Sequence, residues 1–441
     1  MAKKKQALSP EERLAAALVP EEEWPYALPN GWKWVYWGKC GDFIAGTGFP
    51  KLYQGIIGEK YPFYKVGSLR SIDADGYLMD NQHSIDDKIL LKIKAKKIEP
   101  NSIVFAKIGE AIKLNRRGLT KQVCCVDNNM MAFQADKNLL DYHYVYYWST
   151  GIDLYKYTNA TTVPAIRKTD LEKIVFPLPP LSEQHRLVAR IESLFAKLDA
   201  AKEKVQSVLD SHETRKAALL HDAFTGKLTA KWREERGIPQ SWKNGKLLDC
   251  LLEKPRNGYS PKAVNYPTKC KSMSLSATTD GIFKKEYYKY IDEEIPADSY
   301  LWLEPGDILI QRSNSLEKVG ISAIYTGGTH EYIYPDLMMK LQVNNQNDPA
   351  YINYFLQRAE TRAYFLSNAT GIAGNMPKIN QKTVSNTPVN YPSLTEQQEI
   401  VRILGRLLAR EQRARQTAEE TLTAIERMKQ AILARAFRGE L

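Results

Sequence analysis

The chain lacks any long apolar run. Although 43% of its 441 residues are apolar, no stretch approaches the roughly 18 consecutive apolar residues that a membrane-spanning helix needs, so no transmembrane segment is expected. The amino terminus, Met1-Ala2-Lys3-Lys4-Lys5-Gln6, is basic but leads into no apolar signal region, so no secretory leader is expected. Cysteine is scarce: Cys40, Cys124, Cys125, Cys250 and Cys270 form no C-x2-C pair and no metal-ligand spacing. An odd number of cysteines with no export signal points to free thiols in a reducing cytoplasm. The six histidines (His83, His143, His185, His212, His221, His330) suggest neither a catalytic triad nor a metal cage. No Gly-Lys-Ser or Gly-Lys-Thr occurs, which excludes a Walker A phosphate loop. No Asn-Pro-Pro-Tyr motif occurs, so an amino-methyltransferase site is not expected in this chain.

Two short segments imitate catalytic motifs. Phe43-Ile44-Ala45-Gly46-Thr47-Gly48 has the glycine spacing of a cofactor loop, but it lacks the flanking strand–helix pattern and an acidic partner, and reads better as a loop near a ligand surface. Asp86-Asp87-Lys88 imitates the end of a nuclease site, but no upstream Asp completes it, and a solvated charge cluster is the expectation.

What is abundant is positive charge and tyrosine. The 62 Lys and Arg exceed the 51 Asp and Glu, for a net charge of +11 and a pI near 9.1. Such an excess suits a polyanionic partner, most often nucleic acid. The 25 tyrosines supply rigid amphipathic surface as well as core.

The chain is also internally duplicated. Leu181–Leu228 and Leu394–Leu441 align without a gap at an offset of 213 (394 − 181). Each copy opens on a similar cap, Leu181-Ser182-Glu183-Gln184 and Leu394-Thr395-Glu396-Gln397. Each closes alike, at Ala223–Leu228 and Ala436–Leu441, with Gly226 and Gly439 where a helix would end. The Ser or Thr, Glu and Gln of each cap are expected to satisfy first-turn amides. The preceding segments repeat more faintly. Pro29–Lys33 answers Pro239–Lys243, and Cys40 answers Cys250 as an equivalent small buried position. Glu99–Val104 answers Glu304–Leu309, and Val163-Pro164-Ala165-Ile166 answers Met376-Pro377-Lys378-Ile379. Runs such as Ile89–Ile93 and Ser102–Ala106 are β-type, Tyr142–Tyr155 reads as a helix, and Ser9-Pro10-Glu11-Glu12 reads as a helix start.

Both duplicated copies carry an apolar seam at alternating spacings of four and three. In the first, Leu187, Ile191, Leu194, Leu198, Ala201, Val205, Val208, His212, Arg215 and Leu219 fall on it. In the second, Ile400, Leu404, Leu407, Glu411, Ala414, Ala418, Thr421, Ile425, Met428 and Ile432 do. A helix over about Ser182–Phe224 would be roughly 64 Å long at about 1.5 Å per residue. Two such helices are expected to pack antiparallel, leaving free an arginine-rich face at Arg402, Arg406, Arg410, Arg413 and Arg415. The expected fold class is α+β: two mixed α/β units separated by two long antiparallel coiled-coil helices, in a pseudo-two-fold tandem repeat. The expected boundaries are an arm at 1–28, a first globular unit at 29–180, a central helix at 181–228, a linker and second unit at 229–392, and a C-terminal helix at 393–441.

The polar clusters that remain fit nucleic-acid chemistry. After one expected strand come Lys107, Lys113, Asn115, Arg116 and Arg117; after its counterpart come Arg312, Ser313, Asn314 and Ser315. Arg can chelate guanine, Asn or Gln can chelate adenine, and Lys and Ser usually hold phosphates. Further candidates are Lys65 and Arg70, then Arg256, Asn257, Tyr259 and Lys262, and finally Asn159 and Asn368, which precede the matched prolines within Thr158–Thr162 and Ser367–Thr370.

Taken together, Pro177–Gln184 leading into a long helix, Phe224–Arg233 after it, the Ala436–Leu441 ending, Pro29–Trp32, Arg256-Asn257-Gly258 and Pro305–Leu309 resemble the DNA specificity subunits of Type I restriction–modification enzymes, over nearly the whole chain. The resemblance implies that each globular unit is a target recognition domain reading one half of a bipartite site in double-stranded DNA. It implies that the paired helices measure the unread spacer and dock two modification (methyltransferase) subunits. S-adenosylmethionine would reside on those partners, and ATP and Mg2+ on motor and nuclease subunits joining the full complex. This chain would carry no cofactor and no catalytic residue. The second copy stops at Leu441 without the Thr-x-x-Trp-Arg continuation of Thr229–Arg233; Pro20–Pro29 would fill that place if the arm returned to the end of the second helix. The competing reading is a coiled-coil scaffold whose two units bind protein or glycan, which accounts for the helices but not for the basic excess.

Overall fold

The architecture comes from a computed structural model and is described for residues 10–159, 163–371 and 376–441. Ser9 and the basic amino terminus lie outside the described residues, as do Ala160–Thr162. The chain forms two compact units, Met1–Lys204 with Thr421–Leu441, and Val205–Glu420. Each unit therefore owns one half of each duplicated segment.

In the first unit, Lys33–Tyr36 pairs antiparallel with Val175–Leu178, closing the domain at its two ends. Between them lies an antiparallel sheet in the order Gly41–Ala45, Met130–Ala135, Ile103–Ala106, Arg117–Leu119. Every residue of Ile103–Ala106 is buried, as expected of a strand covered on both faces. A smaller sheet joins Ser84–Ile85, Tyr61–Tyr64 and Cys125–Val126, the last pair parallel.

The second unit repeats this plan. Lys243–Lys246 pairs with Pro388–Tyr391, and the main sheet runs Arg256–Asn257, Met338–Leu341, Ile308–Gln311, Ser322–Ile324. Its central strand Ile308–Gln311 is likewise wholly buried. The turns before the two central strands match: Asn101 has φ +64° and Gly306 φ +97°. Both are left-handed, a region open to Gly and tolerated by Asn. The small sheets differ. In the second unit Ala263–Val264, Tyr288–Ile291 and Cys270–Met273 are all antiparallel. The expected strand at Ile89–Ile93 is instead the helix Asp87–Ile93, because the Asp86 carboxylate accepts the Ile89 N–H at 2.7 Å and caps it. The expected helix Tyr142–Tyr155 ends at Thr150, and a separate turn of 3-10 helix covers Leu154–Tyr157.

The duplicated segments are helical, but not identically. The C-terminal one is a single 43-residue helix, Leu394–Ala436. The central one is interrupted at Ser211, between Leu181–Asp210 and His212–Phe224. There the Ser211 hydroxyl donates to the Ser207 carbonyl at 2.6 Å and Arg215 Nη2 donates to the Val208 carbonyl at 3.0 Å. Serine back-bonding of this kind bends helices. The matched position in the other copy, Ala424, has no hydroxyl to do so.

Within each unit the two segments run antiparallel. In the first, Lys202 pairs with Glu426 and Asp199 with Lys429, both at 2.6 Å. In the second, Arg215 Nε meets Glu411 at 2.7 Å, so the two long polar side chains on the expected seam pair with each other. Leu187, Ile191, Ile400, Leu404, Ala418 and Ile425 are buried, and Leu194, Leu198, Val205, Val208, Leu407 and Ile432 are partly so. Met428 is the exception, 53% exposed. An α-helix drifts against a strict seven-residue repeat, so the buried stripe moves on to Leu433, Ala436 and Phe437. By the same drift Leu220, Ala223 and Phe224 end the central segment's stripe.

These ends enter the domain cores in matched ways. In the first unit Leu187, Val188 and Ile191 join Leu433, Ala436 and Phe437 in the core around Trp37. In the second, Ile400 and Leu404 join Leu220, Ala223 and Phe224. Tyr144 packs on Phe437 with ring centroids 5.2 Å apart, and Tyr351 on Phe224 at 4.9 Å. Gly226 and Gly439 end their helices with φ +78° and +77°. The cap residues do something other than expected. Ser182 and Thr395 lie inside the helices, and Gln184 and Gln397 turn away from the first-turn amides. Gln184 instead accepts from Asp141 N at 2.8 Å and donates to the carbonyls of Leu139 and Pro179. Gln397 accepts from Asp348 N at 2.9 Å and donates to Asn347 and Pro392. Each glutamine thus ties a long helix to the capping aspartate of a domain helix.

In the first unit the arm returns to the end of the C-terminal helix. Tyr26 donates its hydroxyl to the Phe437 carbonyl at 3.0 Å, and Pro29 lies where a side chain on Gly439 would fall. In the second unit Gln240 occupies the same place against Gly226. There Arg233 is buried against Glu396, which also accepts from Thr229 at 2.7 Å.

Candidate nucleic-acid interface

In each unit the segment leaving the central strand is fixed by the same main-chain bond. Lys107 O accepts from Ile166 N at 2.9 Å, and Arg312 O from Ile379 N at 2.8 Å. Gly109 N then donates to the Pro164 carbonyl, and Ser313 bridges to Lys378. The loops after the central strands therefore lie beside the matched proline segments. Asn159 N bonds Ala165 O, and Thr370 pairs with Lys378, which brings the segments before the prolines to the same place.

In the first unit Lys65 and Lys107 flank Asp127. Burial raises the Asp127 carboxyl above its ordinary 3.8; the hydrogen bonds it accepts from Asn129, and then the charges of Lys65 and Lys107, pull it back. Lys65 also donates to Gln54 at 2.9 Å. Arg70 and Arg116 are exposed. Lys113 is exposed too, paired with Glu110 at 2.6 Å. Asn159 is exposed and bonded to Asp170. Two candidates are corrected. Arg117 is buried, donating to Asn115 Oδ1 and to the carbonyls of Ser149 and Ile152 at 3.0–3.1 Å. Asn115, at φ +49°, also accepts from Leu154 N. Both side chains hold the loop to the segment that follows, although the buried Arg117 Nε has no partner among the described residues.

In the second unit Arg256, Asn257 and Gln381 line a cleft of about 630 Å³ with Glu253, Lys254, Pro255 and Tyr300. Arg256 pairs with Glu253 at 2.6 Å, its guanidinium 4.8 Å from the Tyr300 ring. Gly258 passes so close to the carbonyls of Tyr334 and Pro335 that a side chain there would lie 2.2–2.3 Å from their oxygens. That contact fixes the chain between Asn257 and Tyr259. Tyr259 is exposed and bonds Glu293 at 3.0 Å, and Lys262 is exposed. Ser315 and Asn368 are exposed as well, Asn368 donating to the Tyr364 carbonyl at 2.9 Å. Asn314 donates to Gln311 at 2.6 Å and accepts from Ser315 N, so it braces its own loop. Three buried polar atoms here, Asn257 Oδ1, Arg312 Nε and Ser313 Oγ, have no partner among the described residues. Such atoms are costly unless something satisfies them. A larger cavity of about 920 Å³, lined by His212, Glu411 and Asp280–Lys284, shares no residue with this cluster.

The imitation motifs resolve as structure. Gly41–Ala45 is a strand, and Gly46 abuts the Asp127 carbonyl, so its glycine serves close packing of two backbones. Asp86 is the helix cap and Asp87 pairs with Lys60 at 2.7 Å. All five cysteines are buried and free, and burial pushes Cys40 and Cys250 up to about 12. Among the described residues no group of three or more His, Cys, Asp and Glu is placed to hold a metal ion. None of the described helices is long and apolar enough to cross a membrane.

A family model described as "Type I restriction modification DNA specificity domain" matches residues 38–209 and 239–422. The chain belongs to this family. Its two matched stretches cover all but the first strand of one duplicated domain and the whole of the other, so this specificity protein has two target recognition domains, and the protein- or glycan-binding scaffold is set aside.

Among its relatives, the Type I restriction enzyme EcoKI specificity subunit of Escherichia coli K12 is 28% identical over 63% of this chain and 60% of its own length. The alignment thus spans less than two thirds of that relative. A putative MjaX specificity subunit from Methanocaldococcus jannaschii is 32% identical over 38% of this chain and 40% of its own. Two solved structures share the fold: a chain of a type I R-M system, with TM-score 0.72 and 19% identity over 95% of this chain and all of that one, and the HsdS subunit of Thermoanaerobacter tengcongensis, with TM-score 0.58 and 19% identity over 95% and 99%.

Sequence reasoning missed Lys378 and Gln381 as site residues, and it took Gln311 as the first residue of the second polar cluster. Gln311 is buried and donates to Leu275 O at 2.8 Å and to Thr278, anchoring the neighbouring loop. Lys378 could have been found, since it matches Ala165 at the 213 offset inside a segment already singled out. Gln381 carried no signal until the fold placed it beside Arg256.

Proposed function

We propose that this specificity protein binds double-stranded DNA carrying a bipartite site, one half read by each recognition domain. The observation that carries the reading is the repeated loop arrangement. In both units the loop after the central strand is bonded to the matched proline segment, and basic residues gather there: Lys65 and Lys107 in one, Arg256, Arg312 and Lys378 in the other. Long-range charge attraction brings the duplex in. Arg312, Ser313 and Asn257, with buried polar atoms unpartnered among the described residues, are suited to base edges.

In this reading the paired helices form an antiparallel coiled coil in a pseudo-two-fold repeat, set the unread spacer, and dock two modification subunits through exposed faces such as the one holding Arg406, Arg410 and Arg413. S-adenosylmethionine belongs to those partners, and ATP and Mg2+ to the restriction subunits of the full complex. This chain contributes recognition and no catalytic group, and the complex works in the cytoplasm. Exchanging residues 29–180 for the first domain of another family member, then mapping methylated adenines, tests the reading. One half of the recognised site should change and the other stay; a change in both halves would overturn it.

A further inference from the structure

Val163 and Met376 share three properties. They are equivalent in the duplication (376 − 163 = 213). They are large and apolar, yet 53% and 52% exposed. And each is followed by a proline that is buried, with a buried isoleucine two positions further on. A single exposed apolar side chain is ordinary. The same exposure at the same position of two domains that have diverged elsewhere calls for a common cause.

Their mounting is firm. Pro164 O receives Gly109 N at 2.8 Å, and Ile166 N is tied to Lys107 O. Lys378 exchanges two main-chain bonds with Thr370, at 2.8 and 2.9 Å, and Ile379 N is tied to Arg312 O. Basic residues are bonded to both segments through their main chains: Lys107 to the first, and Arg312 to the second, which itself contains Lys378. An apolar tip on a braced segment among cations suits a polyanion with an apolar interior, which is what a base stack is. Proteins that deform duplexes insert apolar wedges such as Leu, Ile, Met or Phe between base steps.

We propose that Val163 and Met376 are positioning residues that enter the base stack of their own half-sites and hold open the gap from which the adenine leaves. This rests on the reading of the chain as the DNA-recognising subunit of a methylating complex. Methylation of a base amine requires the base to leave the helix. A side chain filling the vacated space lowers the cost of that unstacking without reading sequence.

The test uses the complete methylating complex and duplexes with 2-aminopurine in place of the adenine of one half-site or the other. 2-Aminopurine brightens when unstacked. Met376→Ala should reduce both the brightening and the methylation rate at the second domain's half-site by about tenfold, with site affinity changed far less and the other half-site unaffected. Val163→Ala should do the reverse. Met376→Leu should keep near-normal brightening, which a merely structural role for methionine would not require. Wild-type brightening in both alanine variants would overturn the proposal, as would an effect confined to association with the modification subunits. If the unaltered complex shows no preference for any bipartite site, the underlying reading fails, which is a separate result.

Discussion

Gln184 accepts the main-chain N–H of Asp141 at 2.8 Å, across 43 residues of sequence, while its own amide donates to Pro179 and Leu139. Asp141 in turn caps the helix Tyr142–Thr150. The long helix is therefore oriented on its domain through one fully buried amide, and Gln397 repeats the device with Asp348. Gln184→Leu strands a buried donor and two acceptors, and should cost roughly 2–3 kcal/mol of stability. Denaturant unfolding followed by hydrogen exchange should place the loss in the first unit; Gln397→Leu should place it in the second.

Arg233 and Glu396 form a buried ion pair, their side chains 7% and 4% exposed. Arg233→Met alone leaves a buried carboxylate without its cation and should destabilise by roughly 3–5 kcal/mol. Combining it with Glu396→Leu should recover most of that loss. A double-mutant cycle by urea unfolding measures the coupling, and additive single effects would show that the pair is not acting as a unit.

How much of this was legible in sequence depends on periodicity. The helices were, because a seam of about forty residues repeats itself. So was the match of Glu99–Val104 with Glu304–Leu309, since Asn101 and Gly306 occupy the same left-handed turn. Contacts made across long sequence separations were not legible. Gln184 looked like a cap because its local context is a helix start; its partners lie 43 and 45 residues away. Arg117 looked like a ligand-binding cation because burial by the helix Tyr142–Thr150 leaves no local mark. Met428 fell off the seam because a seven-residue template ignores helical drift.

Asp127 gives a pH dependence. Its folded carboxyl lies above 3.8, and Lys65 and Lys107 are the cations that partly counter its burial. DNA phosphates engaging those lysines add negative potential and favour the protonated acid, so binding takes up a proton. Affinity should therefore rise as pH falls toward the raised value and be lower, and flat, well above it. Asp127→Asn should flatten the profile at the tighter-binding level. Fluorescence titration of DNA at graded pH checks this, and an unchanged profile in the variant would remove Asp127 as the source.

Arg312→Ala should cost roughly 1–3 kcal/mol at one position of the second half-site if a bidentate base contact is lost. A loss uniform across all sequences would instead assign Arg312 to phosphate. Asn314→Ala should act more weakly and through loop order, since Asn314 is bonded to Gln311 and Ser315.

Four residues inserted after Gln206 and four after Glu419 add about 6 Å per helix and a net turn of roughly 40°. A base pair rises about 3.4 Å, so the unread spacer should lengthen by one or two base pairs with both half-sites intact. An unchanged spacer with normal methylation would mean that something other than these helices sets the distance.

The central claim is that two diverged domains on one duplicated frame read two separated half-sites. Base-resolution mapping of methylated adenines in cells carrying this chain with its modification subunits tests it most directly. The expected result is a split motif, two short specific blocks flanking a spacer of fixed length and random sequence, with one methylated adenine in each block. A single contiguous motif, or methylation unchanged when this chain is removed, would contradict it.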